Sequence, residues 1–303
     1  MFKKIVIFGV GLIGGSFALS LKKADAVGSI VGIGRSFASL ARAKELGIID
    51  VIGDGDALGV ALDGADLVLI AAPVAQTEKI LASLVPHLQA GTIVTDAGST
   101  KNDVVAAARR ALGGKLAQFV PGHPVAGRES NGPDAAIDDL YQGKKTVLTP
   151  LAENTAADIE RVAAAWRLCG AIIHHLTPEE HDKVFAAVSH LPHVLAYALV
   201  DDIANKPHAG LLFQYAASGF RDFTRIAGSS PEMWRDISLA NQAALLSELD
   251  AYLSQLTKLR AKLAAGDGAG LEAVYGNAQR ARQHWIKAIE SPETPAPPDN
   301  AKS

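Results

Sequence analysis

The sequence predicts an α/β domain on a doubly wound parallel sheet, followed by an all-α helical domain. Three observations carry this reading. Up to about His175, short β-rich runs alternate with helical ones, the pattern of parallel strands covered by helices. From Thr177 onward the β signal disappears and helical periodicity replaces it. The chain also opens with a strand, a glycine turn and a helix in immediate succession. The expected division is 1–175 for the α/β domain, 176–290 for a helical dimerisation and substrate domain, and 291–303 for a Pro-rich disordered tail.

The first strand is Lys3 to Phe8 (KKIVIF), which runs into Gly9-Val10-Gly11-Leu12-Ile13-Gly14-Gly15-Ser16. Phe17, Leu19 and Leu21 then keep helical spacing. Glycines hold the first, third and sixth places of GxGxxG. Gly9 allows the tight turn, Gly11 lets backbone approach a pyrophosphate, and Gly14 lets the helix sit close on the strand. The free N–H groups of the helix start, from Leu12 and Ile13 onward, then face the anion. This is a Rossmann-type dinucleotide fingerprint. The alternative is a glycine-rich turn without a ligand.

Ser29 to Ile33 (SIVGI) read as the second strand, followed by Gly34-Arg35-Ser36. An NAD site usually places Asp or Glu there to accept from the ribose 2′-OH. Here Asp25 precedes the strand and Glu45 lies well into the next helix. Arg35 and Ser36 stand where a 2′-phosphate would sit, with a planar fork and a hydroxyl donor. NADP is therefore expected over NAD. The alternative is that Arg35 stacks on adenine or is solvated, with either cofactor accepted.

Asp66 to Ala71 is a strand ending at Ala72-Pro73, and Thr92 to Asp96 is another ending at Ala97-Gly98-Ser99. Phe119 to Pro121 and Thr146 to Leu148 read as two more. Parallel sheets bind ligands at the carboxyl ends of their strands, which places Pro73, Ser99 and His123 near one mouth.

In the helical half, Thr177-Pro178-Glu179-Glu180 is a helix start with a capping box. Pro192 falls inside a helical pattern and is expected to kink or break it. A long helix is expected over roughly Ser238 to Ala264, with Leu246, Leu249, Leu253, Leu256 and Leu263 as a heptad-like stripe. A last helix carries Leu271, Val274, Tyr275, Ala278 and Trp285. Two such chains sharing a core is the expected arrangement, a homodimer. A self-contained bundle is the alternative.

Composition fits a soluble enzyme. The 303 residues are 49% hydrophobic and 20% charged, with a net charge of −3. No global field draws such a chain to nucleic acid or an anionic membrane. The single cysteine, Cys169, excludes an internal disulfide and a cysteine-rich zinc site, and reads as a buried small hydrophobe. The apolar start is already a strand, so no signal peptide is expected. Val184 to Val200 is the most apolar stretch, but it holds Ser189, His190, Pro192 and His193. No membrane span, no metal and a cytoplasmic location are expected.

Four constellations carry candidate chemistry. In Gly122-His123-Pro124-Val125-Ala126-Gly127, a histidine at a strand end near a nicotinamide is placed to act as a general base, although a His before Pro is equally often structural. In Asp96-Ala97-Gly98-Ser99-Thr100-Lys101, Ser99 suits a substrate hydroxyl and Lys101 an anion; Ser99 as a helix N-cap is the alternative. In Ser189-His190-Leu191-Pro192-His193, the i, i+3 spacing puts both histidines on one helical face. Two histidines without a third ligand make a poor zinc site. In Gly219-Phe220-Arg221-Asp222-Phe223-Thr224-Arg225, an arginine in an apolar domain suits carboxylate capture, with a surface ion pair as the alternative.

Together these motifs resemble one family, the prephenate and arogenate dehydrogenases of tyrosine biosynthesis. The resemblance covers about residues 3 to 290. It rests on GxGLIGGS, Asp96-x-x-Ser99-x-Lys101, His123-Pro-x-Ala-Gly127, Ser189-His190-Leu-Pro-His193 and Asp222-Phe-Thr-Arg225, in that order. It implies a nucleotide-binding domain followed by a helical dimerisation domain. It also implies oxidative decarboxylation of a cyclohexadiene that bears a ring hydroxyl and a ring carboxylate. By resemblance, His123 accepts the hydroxyl proton, and Ser99 hydrogen-bonds that hydroxyl and helps orient His123. Arg225 holds a substrate carboxylate, and His190 and His193 line the pocket. Glu129 matches an acid near the pocket mouth, and Trp234 and Asp222 align with pocket positions. Gly9, Gly11, Leu12, Ile13, Gly14, Arg35, Ser36, Pro73 and Lys101 are the expected cofactor contacts.

Two departures matter. Many members use NAD, whereas the missing acid here favours NADP. Arg128 falls at a variable place and bears on substrate choice, prephenate and arogenate differing only in a keto or amino group. No chorismate mutase segment or further regulatory domain is expected. Readings from other classes are a β-hydroxyacid or imine reductase type of dehydrogenase, which would not explain His123-Pro together with Ser189-His190-Leu-Pro-His193, and a non-catalytic NADP-binding regulator, which would need no proton acceptor.

Overall fold

Strand residues of the first half alternate between two apolar cores, and this alternation builds the sheet. In the computed structural model, which describes residues 1–128 and 130–290, the strands are β1 Phe2–Phe8, β2 Val27–Ile33, β3 Val51–Ile52, β4 Leu67–Ile70, β5 Ile93–Asp96, β6 Phe119–Val120, β7 Gly122–Pro124, β8 Lys145–Leu148 and β9 Ile172–His175. The helices among them are α1 Leu12–Lys23, α2 Phe37–Glu45, α3 Leu58–Leu62, α4 Thr77–Leu84, α5 Asn102–Leu112 and α6 Ala156–Leu168. Six strands form a parallel sheet in the order β3-β2-β1-β4-β5-β6. Ile5, Ile7, Ile30, Leu67 and Leu69 face one core with Phe17, Leu21 and Trp166. Val6, Phe8, Val31, Val68 and Ile70 face the other with Leu62, Leu81, Leu84 and Val104. Period-two alternation with apolar cover on both faces is what a doubly wound sheet requires.

The strand order reverses between β1 and β4, so a crevice opens at their carboxyl ends. Gly9 follows β1 directly, and Pro73 follows β4 after Ala71 and Ala72.

Three strands went unpredicted, and their composition explains it. β3 has two residues, β9 reads Ile-Ile-His-His, and β7 is Gly-His-Pro. Glycine and proline are depleted in strands, yet β7 is the edge of a second sheet, order β7-β8-β9, where a proline costs no ladder bond. His123 therefore lies within a strand, not after one.

The remaining helices are α7 Pro178–Phe185, α8 Leu191–Ala204, α9 Ala209–Gln214, α10 Ser218–Thr224, α11 Pro231–Ala240, α12 Gln242–Ala264 and α13 Gly268–Glu290. The capping box of Thr177 and Glu180 forms as expected. Pro192 does not break the helix. A π turn over Ala186–His190 joins α7 to α8, and Pro192 falls in the first turn of α8. A proline ring strikes the carbonyl four residues back, here Val188, which lies inside the wider turn. The expected helix over Ser238 to Ala264 is in fact two, since the chain changes helix at Asn241.

The last strand ends at His175, where strands give way to helices. Contacts nonetheless group Met1–Leu246 as one unit, with a second beginning at Ser247 within α12. The first helices of the apolar half stay with the sheet because α7 hydrogen-bonds to the start of α5. Glu129 and the tail 291–303 lie outside the described residues.

Candidate active site at the carboxyl ends of the strands

The glycine turn fits a dinucleotide. Gly9 has φ +91°, and a Cβ there would press on the Ala71 carbonyl. A Cβ on Gly14 would strike the Gly9 carbonyl. At Gly11 it would meet nothing within 4 Å, so open space lies before the helix start. No side chain caps α1 and its first turn holds no acid, which leaves its N–H groups to an anion. Leu12 is buried, and the Ile13 carbonyl accepts from Tyr141 Oη at 2.6 Å. Beyond β2, Arg35 is exposed, and Ser36 Oγ accepts from the Ser39 N–H at 3.2 Å to cap α2. Pro73 is half-buried at the end of β4.

Lys101 was expected beside an anion and as a cofactor contact. It is wholly buried, and its anion is Asp96, with which it forms an ion pair. The same carboxylate accepts from Gly98 N at 2.8 Å and Gly122 N at 3.0 Å. Asp96 thus ties the end of β5 to the start of β7, and so fixes the backbone on which His123 stands.

Ser99 is half-buried and is not the N-cap of α5; that position is Lys101, without a side-chain cap. The free N–H groups of Lys101 and Asn102 instead donate to Asp182 of α7, both at 2.8 Å. Asp182 also accepts from His181 Nδ1 at 2.8 Å, and His181 Nε2 lies 2.8 Å from His123 Nδ1. Among the described residues, the side chain that holds His123 is therefore His181 and not Ser99. Phe185 closes the group, with ring centroids 4.7 Å from His123 and 4.4 Å from His181.

Burial dominates the electrostatics. It holds His123 well below the ordinary histidine range, helped by His181, Lys101 and His190. Burial also lowers His181, against the opposing pull of Asp182. For Asp182 burial works upward, but bonds from His181, Asn102 and Lys101 outweigh it and leave the carboxyl below its usual range. His190 is lowered to about 4, again by burial.

A second cluster stands on the helical side. His193 stacks on Trp234 with centroids 3.4 Å apart, and His190 meets the same ring edge-on at 6.0 Å. Asn241 Nδ2 donates to His190 Nδ1 at 3.1 Å and to the Asp182 carbonyl at 2.8 Å. An acceptor at Nδ1 leaves the proton on Nε2. His190 Nε2 and Trp234 Nε1 are both buried, and neither has a hydrogen-bond partner among the described residues. A buried donor without an acceptor, such as Trp234 Nε1, suits an anionic or carbonyl-bearing ligand. The Ser99 backbone lies close enough to His190 to favour its protonation.

Arg225 is exposed rather than enclosed by the apolar domain. Its charge reaches His193, whose lowered pKa owes most to burial and least to Arg225. Asp222 is exposed and 3.7 Å from Arg221, the surface-pair arrangement. Sequence reasoning missed His181, Asp182 and Asn241. The signal for the first two was His181 and Phe185 at i, i+4 on a helix whose capping box had already been read.

The helix Pro178–Ala204 is long and apolar enough to cross a bilayer by length and composition. It is also the helix that carries the buried His181, Asp182 and His190. Cys169 is buried, its thiol raised by burial. No cluster able to hold a metal ion occurs among the described residues.

Comparison with known proteins gives one answer. Residues 17–175 match the family model described as prephenate dehydrogenase, nucleotide-binding domain, and residues 177–276 match prephenate dehydrogenase, dimerization domain. Cyclohexadienyl dehydrogenase of Zymomonas mobilis is 38% identical over 288 residues, covering 93% of this chain and 96% of that protein. The prephenate dehydrogenase of A. aeolicus, solved with hydroxyphenyl propionate and NAD+, is 35% identical with a TM-score of 0.87, covering 94% of this chain and 98% of that one. The arogenate dehydrogenase of Synechocystis is 29% identical with a TM-score of 0.76, covering 93% and 99%.

Proposed function

The chain belongs to the prephenate dehydrogenase family, and on that premise we propose that it oxidatively decarboxylates prephenate, arogenate or both in tyrosine biosynthesis, with NADP as the preferred hydride acceptor. The observation that carries the reading is His123, buried at the mouth of the sheet and hydrogen-bonded to the protein through Nδ1. Its depressed pKa keeps the ring neutral at working pH, as a general base must be. His123 takes the proton of the ring hydroxyl and returns it to the same oxygen as the phenol forms. The C–CO₂ bond breaks, its electron pair enters the ring, and hydride leaves the hydroxyl-bearing carbon. When bound, the oxidised nicotinamide supplies the hydride acceptor. Ser99 donates to the hydroxyl, His190 and Trp234 offer N–H groups to the anionic substrate, and Arg225 meets a carboxylate. Phe185 and the buried helix face keep water from the base.

Support for NADP is the sequence Gly34-Arg35-Ser36 at the end of β2, without an acid. The A. aeolicus relative was solved with NAD+, so this preference is a property proposed for the present chain. A homodimer is supported by the dimerization-domain match and by exposed apolar residues, Leu211, Phe213 and Leu239 in the first unit and Leu253, Leu256 and Trp285 in the second. A reducing cytoplasm suits a chain whose one cysteine is buried. Reduced-cofactor absorbance with prephenate, arogenate and a β-hydroxyacid in parallel tests the activity. Turnover of the β-hydroxyacid alone would overturn it.

A further inference from the structure

We propose that His181 is a positioning residue for the base. Its Nε2 accepts the proton on His123 Nδ1, Asp182 holds its ring from behind, and the His123 Nε2 lone pair is thereby turned to the substrate. The proposal deepens the reading above and rests on His123 being the base.

The donor and acceptor inventory allows one assignment. Asp182 accepts two backbone N–H groups, from Lys101 and Asn102, besides its bond to His181. An ionised carboxylate only accepts, so His181 Nδ1 carries the proton of that bond. A neutral His181 then has a bare Nε2. The partner 2.8 Å away, His123 Nδ1, must be the donor. His123 Nε2 is left with its lone pair, the form that accepts a proton. Every step follows from the one before, and the first is fixed by the start of α5.

The arrangement answers a cost that burial creates. A buried imidazole is a weak base because its cation is poorly solvated. The groups facing His123 are His181 and Phe185 from α7, His190 from the π turn, and Lys101, whose charge Asp96 balances. The one acceptor among them aimed at a ring nitrogen of His123 is His181 Nε2. When His123 takes the substrate proton, the positive charge appears beside an acceptor backed by Asp182. No solvent has to reorganise.

The test uses the full chain with His181→Phe, which keeps a ring but removes the acceptor, and His181→Gln, whose Oε1 can accept. His181→Phe is expected to lower kcat by about tenfold to a hundredfold, part of the 10²–10⁴-fold a general base contributes. The acid limb of kcat/KM should move, because His123 loses the group bonded to its Nδ1. NADP binding should be unchanged, and His181→Gln should recover much of the loss. Unchanged kcat and acid limb in His181→Phe would overturn the proposal. So would a loss matched only by a lower Tm, with no recovery in His181→Gln. Should His181→Phe fail to fold, two-bond ¹⁵N spectra of the wild-type imidazoles read the same point. Both rings are expected as Nδ1–H tautomers, and His123 found as Nε2–H overturns the idea. His123→Asn separates the two levels: full activity there removes the base itself, while an inactive His123→Asn beside a normal His181→Phe removes only the positioning role.

Discussion

The two sides of the cofactor crevice follow opposite rules. Around His123 the protein buries its polar groups and pairs them, through His181, Asp182, Asp96 and Lys101. Around Arg35 it leaves charge in solvent at the end of β2. Proton transfer needs a fixed tautomer and a dry site, so its groups are locked from several elements at once. Choice between two dinucleotides needs only a cation within reach of a phosphate, so a loop suffices. Substitutions on the first side should therefore cost turnover or folding, and on the second only affinity.

The largest effect is expected at His123. His123→Asn should lower kcat by about 10²–10⁴-fold with little change in cofactor affinity, measured by steady-state kinetics and cofactor titration. The sign of the pH effect follows from the same ring. A base works when neutral, and burial lowers its pKa. Wild-type kcat/KM should therefore hold as pH falls through the ordinary histidine value of about 6.5 and drop only below it. An acid limb above that value would place the base elsewhere.

Next comes the buried ion pair. Lys101→Ala leaves Asp96 charged and unpaired in the interior, and should cost about 3–5 kcal/mol of folding stability by urea titration. Arg42→Ala, which breaks an exposed pair with Asp134, should barely move the midpoint. Equal losses in the two would erase the contrast between buried and exposed pairs.

On the exposed side, Arg35→Ala should weaken NADP by roughly tenfold to a hundredfold and leave NAD unchanged. Equal kcat/KM for both cofactors in the wild type would sink the preference. The smallest effect is expected at Arg225. Being exposed, it is screened, and Arg225→Ala should raise KM by about tenfold with kcat and Tm nearly intact. A fall in Tm with KM unchanged would give it a structural role instead.

The sequence displayed what repeats or what is spaced. The glycine turn, the alternating strands and the capping box of Thr177 were all legible because each is a local pattern. His123 was legible as a residue, but its strand was not, since Gly-His-Pro violates strand composition and pairs only by virtue of β8. Asp182 was invisible for a different reason. It sits in the first turns of α7 and caps another helix, α5, 80 residues earlier in the chain. Local spacing does not record a cap supplied from so far away. Lys101 was read as suiting an anion, and only the fold shows that Asp96 is an anion it pairs with inside the protein.

The π turn at Ala186–His190 sets a phase. Each residue of an α-helix advances the face by about 100°, so one extra residue re-aims everything downstream of it. His181 and Asp182 lie before the turn, His190 is its last residue and His193 follows it. Across the turn, Asn241 bonds both His190 and the Asp182 carbonyl. Winding the same residues as an unbroken α-helix would turn the second pair by much of that step relative to the first. The wide turn absorbs the extra residue, and so works as a reading-frame correction within the helix.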